Sequence, residues 1–187
     1  LPGYAITSVK IDGILHEFST IPGVKEDVTE IILNLKSVAI KTSITDIDYK
    51  KVLKIEKSGP AVITAGDIEA DAEIEILNPE QYICTLDSDG FLDVELTIGR
   101  GRGYKGAENN KTGEIGYIAI DSIYTPVTKV SYNVENARVG QNLDRDRLIL
   151  EVWTNGAFSG KEIISLAAKI IDEHINIFVN FSEIMNG

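Results

Sequence analysis

At 187 residues the chain has room for one generous domain or two small ones, and 43% hydrophobic residues is ordinary for a folded soluble protein. A formal net charge of -11 repels phosphate and argues against broad non-specific nucleic-acid binding by these residues alone. No apolar run approaches the roughly 18 residues of a membrane span, and the single cysteine, Cys84, excludes an internal disulfide framework and fits a reducing cytosol. Leu1-Pro2-Gly3 does not open like a signal peptide, and the missing initiator Met leaves room for residues ahead of it.

Residues 4–18, YAITSVKIDGILHEF, alternate Ile6, Val9 and Ile11 with polar neighbours and predict a hairpin turning at Asp12-Gly13. His16 follows, with only Glu17 beside it. That carboxylate points to the other face of a strand, so His16 reads as structural or partner-facing rather than catalytic. A turn at Ile21-Pro22-Gly23 leads into an amphipathic helix that begins near Glu26-Asp27, whose carboxylates suit the positive end of the helix dipole. Val28, Ile31, Ile32 and Leu35 share one face, while Asn34 and Lys36 lie off that stripe at the C-terminal end.

Strands are expected over 37–44 and 50–57, joined at Thr45-Asp46-Ile47-Asp48, and Ser58-Gly59-Pro60 breaks the chain before a short strand at AVITAGDI. The acidic run DIEADAEIEI, 67–76, lacks the Asp-x-Asp-x-Asp-Gly spacing of an EF-hand and reads as a solvated face. QYICTLD and FLDVELTIG are strands around the turn cluster Asp87-Ser88-Asp89-Gly90. Cys84 lies in the first of them and reads as a small buried hydrophobe.

GRGRGYKG, 99–106, contains a formal Gly101-x-Gly103-x-x-Gly106 fingerprint after a strand. The polar, glycine-broken AENNKTGEIG that follows cannot open the helix a pyrophosphate requires. The run therefore reads as a bend at a strand end, with Arg100 and Arg102 pairing against nearby carboxylates. Residues 107–113 are expected to form a loop. Asn110-Lys111-Thr112 and Asn180-Phe181-Ser182 are formal glycosylation sequons, without meaning in a cytosolic protein.

A boundary is expected at Tyr124-Thr125-Pro126. Beyond it come a strand, TKVSYNVENARV, a polar link, QNLDRD, and a second strand, RLILEVWT, as an antiparallel pair. Ser159-Gly160-Lys161-Glu162 is a capping box. The helix it opens runs to about Phe178 and carries Ile163, Leu166, Ala167, Ile170, Ile171, Ile175 and Phe178, with His174 on or beside the stripe. That stripe is wider than one sheet face requires, so a second helix from another copy of the chain would account for the surplus. Two strands and one helix are a thin core for an independent domain.

The run LPGYAITSVKIDGILHEFSTIPGVKEDVTEIILNLKSVAI resembles the N-terminal assembly domain of the bacterial-type RNA polymerase alpha subunit. So do GRGRGY at 99–104 and VSYNVENARVGQNLDRDRLILEVWTNG at 130–156, in the same order. The resemblance implies an α+β fold: a β-rich insert domain over 4–125, and over 126–187, with 1–3, the C-terminal half of a split dimerisation domain. The first half, and the C-terminal DNA- and activator-binding domain, would lie outside this sequence. It implies a non-catalytic scaffold without cofactor or metal, in the cytoplasm, with a low-GC bacterium and a plastid both open as source. The scaffold would form a homodimer that docks the beta and beta-prime subunits without binding nucleic acid or membrane itself.

On matching positions, Lys36 would be a charged contact to a large subunit and Ile120 an apolar one. His16, Glu17, Ser19, Thr20 and Asn34 belong to the same docking block, and Tyr132, Asn133, Glu135 and Arg138 to a second surface. Ile163, Leu166, Ala167, Ile170, Ile171, His174, Ile175 and Phe178 would form the dimer helix. The residues alone leave two rivals open, a stand-alone acidic β-rich module holding a ligand or protein, and an enzyme with a metal site at 67–75. No nucleophile–base pair, Cys/His cluster or phosphate loop stands out in the sequence.

Overall fold

A computed structural model describes residues 1–181, with the side chains of all of these except Asn142 and Leu143. The fold is α+β, mostly antiparallel strands with two α-helices, as the sequence leads one to expect. It divides into two compact units, residues 2–125 and residues 126 onward together with Leu1.

In the first unit, strand β1 (Pro2–Ile11) is followed by helix α1 (Val28–Leu35), β2 (Ile40–Thr42), β3 (Lys50–Ser58) and β4 (Ala61–Thr64). Then come β5 (Ile74–Ile76), β6 (Tyr82–Leu86), β7 (Phe91–Arg102), β8 (Tyr104–Lys105), β9 (Tyr117–Ala119) and β10 (Ser122–Ile123). The main sheet has the order β3-β7-β1-β9, and the pairs β2–β5, β4–β6 and β8–β10 surround it. Every pairing is antiparallel. Val9, Ile11, Leu53, Ile55, Val94 and Leu96 alternate inward from the three long strands and meet Val28, Ile31 and Leu35 of α1 in one closed core.

The first local reading to change is the hairpin. The turn at Asp12-Gly13 exists, with Gly13 at φ 77°, yet no returning strand follows it. The partners of β1 are the distant β7 and β9, while residues after the turn lead to the start of α1. The strands β2 and β3, expected and found in succession, lie in different sheets, since β2 pairs with β5 and β3 with β7.

The acidic run 67–76 disperses over β3. Lys57 Nζ reaches Asp67 Oδ1 at 2.7 Å, and Lys51 pairs with Asp71 and with Glu73, at 3.1 Å from the latter. Glu69, Asp71 and Glu75 are exposed, whereas Ile68 and Ile74 turn into the core. Cys84 is fully buried beneath this region, and burial pushes its thiol up to about 12.

The alternating glycines of GRGRGY have a steric cause. Gly101 of β7 lies opposite Gly3 of β1, and the buried Tyr124 packs against both. A Cβ at Gly101 would stand 2.6 Å from Tyr124 Cε2, and one at Gly3 only 1.7 Å from the Tyr124 carbonyl oxygen. Gly103 then turns the chain into β8 at φ 60°. Arg100 and Arg102, expected to pair with carboxylates, take part in no ion pair among the described residues.

The second unit is a long hairpin, β11 (Val127–Val139) and β12 (Asn142–Thr154), followed by helix α2 (Gly160–Val179). The link expected at QNLDRD is in fact the start of β12, and the reversal occurs at Gly140, with φ 62°. The polar composition of that stretch fits a hairpin tip rather than a loop, with Gln141, Asp144, Arg145 and Asp146 exposed. Ser159 and Glu162 form the capping box of α2.

Candidate docking surface

The block from Gly13 to Lys36 is built on the first turn of α1. Asp27 caps the helix, its carboxylate accepting from Glu30 N–H at 2.8 Å while Glu30 reaches back to the Asp27 N–H at 3.2 Å. Glu26 does not serve the helix dipole. It is buried, accepting from the Thr85 N–H at 2.9 Å and from the Tyr82 hydroxyl, and so ties the helix entry to β6. The loop before it is fastened to the same turn. Val28 N–H donates to the Ser19 carbonyl at 3.1 Å, Thr29 Oγ1 to the Glu17 carbonyl at 2.9 Å, and Thr20 bridges to Asp27.

His16 Nδ1 accepts from the Phe18 N–H at 3.2 Å and lies 3.3 Å from Ser19 Oγ, which folds the loop into a tight turn. His16, Glu17 and Thr20 are therefore exposed on a tethered loop, and Ser19 half-buried. Leu15 and Phe18 stand beside them at 68% and 80% exposure. Together they put an apolar pair on the tethered loop, next to its polar side chains.

At the other end of the helix, Asn34 turns toward the sheet. Its side-chain amide donates to the Ile83 carbonyl at 2.8 Å, so it anchors α1 to β6 instead of reaching outward. Lys36 does reach out, and meets Asp121 Oδ2 at 3.0 Å, with the two side chains 26% and 32% exposed. Asp121 Oδ1 accepts from the Ala107 N–H at 2.8 Å. That bond first, then the Lys36 ammonium and the Tyr104 hydroxyl, hold the Asp121 carboxyl below its usual range.

Ile120, expected as an apolar contact at the surface, is a core residue at 1% exposure. The period-2 alternation of YIAID turns Ile118 and Ile120 inward, which leaves Asp121 to face Lys36. The loop after β8 is pinned to the same segment, since Asn110 Nδ2 donates to the Ile120 carbonyl at 2.8 Å and to Ser122 Oγ at 2.9 Å. Asn110 is buried, so it offers no side chain for glycosylation; the sequon at Asn180 includes Ser182, outside the described residues.

In the second unit, Tyr132, Asn133, Glu135 and Arg138 are all exposed on β11, and Arg138 Nε donates to the Gly140 carbonyl at 2.9 Å. On α2 only Ile163 is buried; Ala167 is half-buried, while Leu166, Ile170, Ile171, Ile175 and Phe178 are exposed by 38% to 78%. His174 is exposed too, with Nδ1 2.8 Å from the Ile170 carbonyl one turn back. Val130, Val134, Leu148 and Trp153 on the hairpin are more than two-fifths exposed. This unit carries the apolar residues of a core without closing one.

Residues 9–125 match the RNA polymerase Rpb3/RpoA insert domain, ending where the first unit ends. The chain belongs to this family. It is 59% identical to the DNA-directed RNA polymerase subunit alpha of Alkaliphilus oremlandii over 188 aligned residues, which cover 100% of the chain and 58% of that protein. It is 55% identical to the subunit of the same name from Desulforamulus reducens, covering 100% of the chain and 59% of the relative. The chain thus spans somewhat under two thirds of the length of these relatives. Among the described residues no helix is long and apolar enough to cross a membrane, and no three His, Cys, Asp or Glu side chains gather as metal ligands.

Sequence reasoning missed Asp121, the acid that receives Lys36, and Glu26, the buried brace of the helix entry. For Asp121 a signal existed in the alternation of YIAID, which puts it on the face opposite Ile118 and Ile120. For Glu26 there was none, because its partners on β6 are 56 and 59 residues away in sequence.

Proposed function

We propose that this chain is the assembly scaffold of a DNA-directed RNA polymerase, working in the cytoplasm without catalysis of its own. The first unit is the insert domain, whose α1 and tethered loop dock a large subunit. The second is half of a dimerisation domain, completed by a further alpha-chain segment and a second copy. Lys36 is the charged contact of the docking surface, held ready on Asp121, with His16, Glu17 and Thr20 and their neighbours Leu15 and Phe18 beside it. Tyr132, Asn133, Glu135 and Arg138 serve the other large subunit or brace the hairpin that carries them. Partners are the beta and beta-prime subunits and another alpha chain, with no nucleic acid held directly.

The observation that carries this reading is the contrast between the two units. One has a closed core; the other leaves a hairpin and a helix of aliphatic residues uncovered, which in water costs roughly 25 cal/mol for each Å² left exposed. A stand-alone module would not maintain such a surface. The test is co-expression with the two large polymerase subunits of a full-length alpha subunit in which these residues replace the matching stretch, followed by purification in high salt. Retention of a large subunit by the parent, and its release by Lys36→Ala, is the expected result. A chimera that folds and dimerises yet comes through alone would overturn the scaffold reading.

A further inference from the structure

Most cations of the first unit fall into two groups. Lys36, Lys51, Lys54 and Lys57 are matched by carboxylates, and Lys10 stands 5.3 Å above the Tyr117 ring. Lys50, Arg100, Lys105 and Lys111 take part in no ion pair among the described residues, and all of them line one cleft of about 350 Å³. Among the described residues Asp48 is the one carboxylate on its wall. Lys25, Lys41 and Arg102 are likewise in no ion pair among the described residues and lie outside the cleft; in a chain with a net charge of -11, that four unmatched cations share one wall is still a local excess of positive charge.

The frame that gathers them is rigid. Lys50 begins β3 opposite Gly99 of β7, one residue before Arg100 in the neighbouring strand. The turn at Gly103 brings Lys105 back to pair with Ser122. Asn110, buried and bonded to the Ile120 carbonyl and to Ser122 Oγ, fixes the loop that carries Lys111, and Ser122 in turn donates to the Ile6 carbonyl at 2.8 Å. Holding like charges together without counter-charge raises the local positive potential, and the free energy is recovered when an anion enters.

We propose that this cleft binds a short acidic segment of a partner protein, through Lys50, Arg100, Lys105 and Lys111. A nucleic-acid backbone fits the setting poorly. Its phosphates continue at close spacing and would run on toward the exposed Asp46, Glu108 and Glu114, which flank the cleft-lining segments 47–50 and 109–112 in sequence. A few Asp or Glu side chains end where the cations end. Ile47, 77% exposed at the rim, adds an apolar contact that a peptide side chain can use. The proposal is independent of the docking surface, since Lys36 takes no part in it.

The test uses the 187-residue chain and fluorescence anisotropy of three probes. These are a fluorescein-labelled peptide of alternating Glu and Ile, its counterpart with Gln in place of Glu, and an oligothymidylate of matched length. The Glu peptide should bind and the Gln peptide should not. The double variant Lys105→Glu/Lys111→Glu should lower affinity by at least about tenfold, in line with charge reversal at a complementary interface. The milder Lys105→Gln/Lys111→Gln should lower it less, with unchanged circular dichroism. Lys25→Glu/Lys41→Glu, which changes net charge equally at exposed sites outside the cleft, should leave it unaltered. An equal loss in that control pair, oligothymidylate binding as tight as the Glu peptide, or no binding of the Glu peptide would each overturn the proposal.

Discussion

Substituting Gly101 by Ala tests why glycine recurs in GRGRGY. The new methyl would sit 2.6 Å from Tyr124 Cε2 and 2.8 Å from Cδ2 and Cζ, well inside van der Waals contact. Tyr124 is only 4% exposed and cannot swing into solvent without opening the sheet end. Overpacking of this kind costs about 1–3 kcal/mol, offset by about 0.4–1 kcal/mol from the stiffer unfolded chain, so a net loss of about 1–2 kcal/mol is expected. Tyr124→Ala alone should cost about 3–5 kcal/mol through the cavity it leaves. In that background the ring is gone, and Gly101→Ala should turn neutral or slightly stabilising, a coupling on the order of 1–3 kcal/mol. Urea unfolding followed by far-UV circular dichroism on the four proteins of the cycle measures this directly. If Gly101→Ala costs as much without the ring as with it, the contact is not the reason for the glycine. Gly3→Ala should be worse than Gly101→Ala, because the atom it meets at 1.7 Å is a backbone oxygen.

Asp121 and Asp67 supply a pH dependence. Asp121 is held low by the Ala107 N–H and then by Lys36; for Asp67, burial opposes the shift, but Lys57 and the Thr64 N–H outweigh it. A depressed folded-state value means stabilisation present above the unfolded value of about 3.9 and lost as pH falls through the folded one. Asp121→Asn should therefore flatten the acid limb of a stability-versus-pH curve below about pH 4 while lowering the plateau by no more than about 1 kcal/mol, as for a half-exposed pair. Native Cys84, with its thiol pushed up to about 12 and no exposure, should resist alkylation by iodoacetamide at mildly alkaline pH and label fully in urea. Ile171→Asp on α2, 59% exposed, should abolish self-association in sedimentation while leaving hydrogen-exchange protection of the first unit unchanged; a loss of protection there would show that the residue acts on folding.

What the sequence revealed and what it hid divide by range. The Asp27 cap, the buried stripe Val28-Ile31-Ile32-Leu35 and the Ser159–Glu162 box are settled within four residues of backbone, and all were legible. Strand pairing is not local: nothing near Asp12-Gly13 says that β1 passes by a hairpin partner and pairs with residues 94–102 instead. The site suffered in the same way. Lys36 could be singled out from its place at a helix end, but Asn34, a few residues back, was turned inward by a carbonyl at Ile83, 49 residues away. Ile120 and Asp121 are adjacent, and alternation gives one to the core and the other to Lys36; the expectation of a contact at Ile120 rests on family positions, which do not weigh the strand period.

The second unit reverses the problem, because there the sequence holds more apolar surface than the described residues cover. A helix with Leu166, Ile170, Ile171, Ile175 and Phe178 on its surface, over a hairpin showing Val130, Val134 and Leu148, has the composition of an interior and the exposure of an exterior. Such a surface is stable only when something apolar covers it, so the hydrophobic pattern calls for a cover beyond the described residues as plainly as Ile31 and Leu35 call for one within them. The pattern carries no information on which chain supplies the cover. That is decided by shape at the closed interface, and it is why the family relationship and the sedimentation of Ile171→Asp, rather than the length of the stripe, bear on dimerisation.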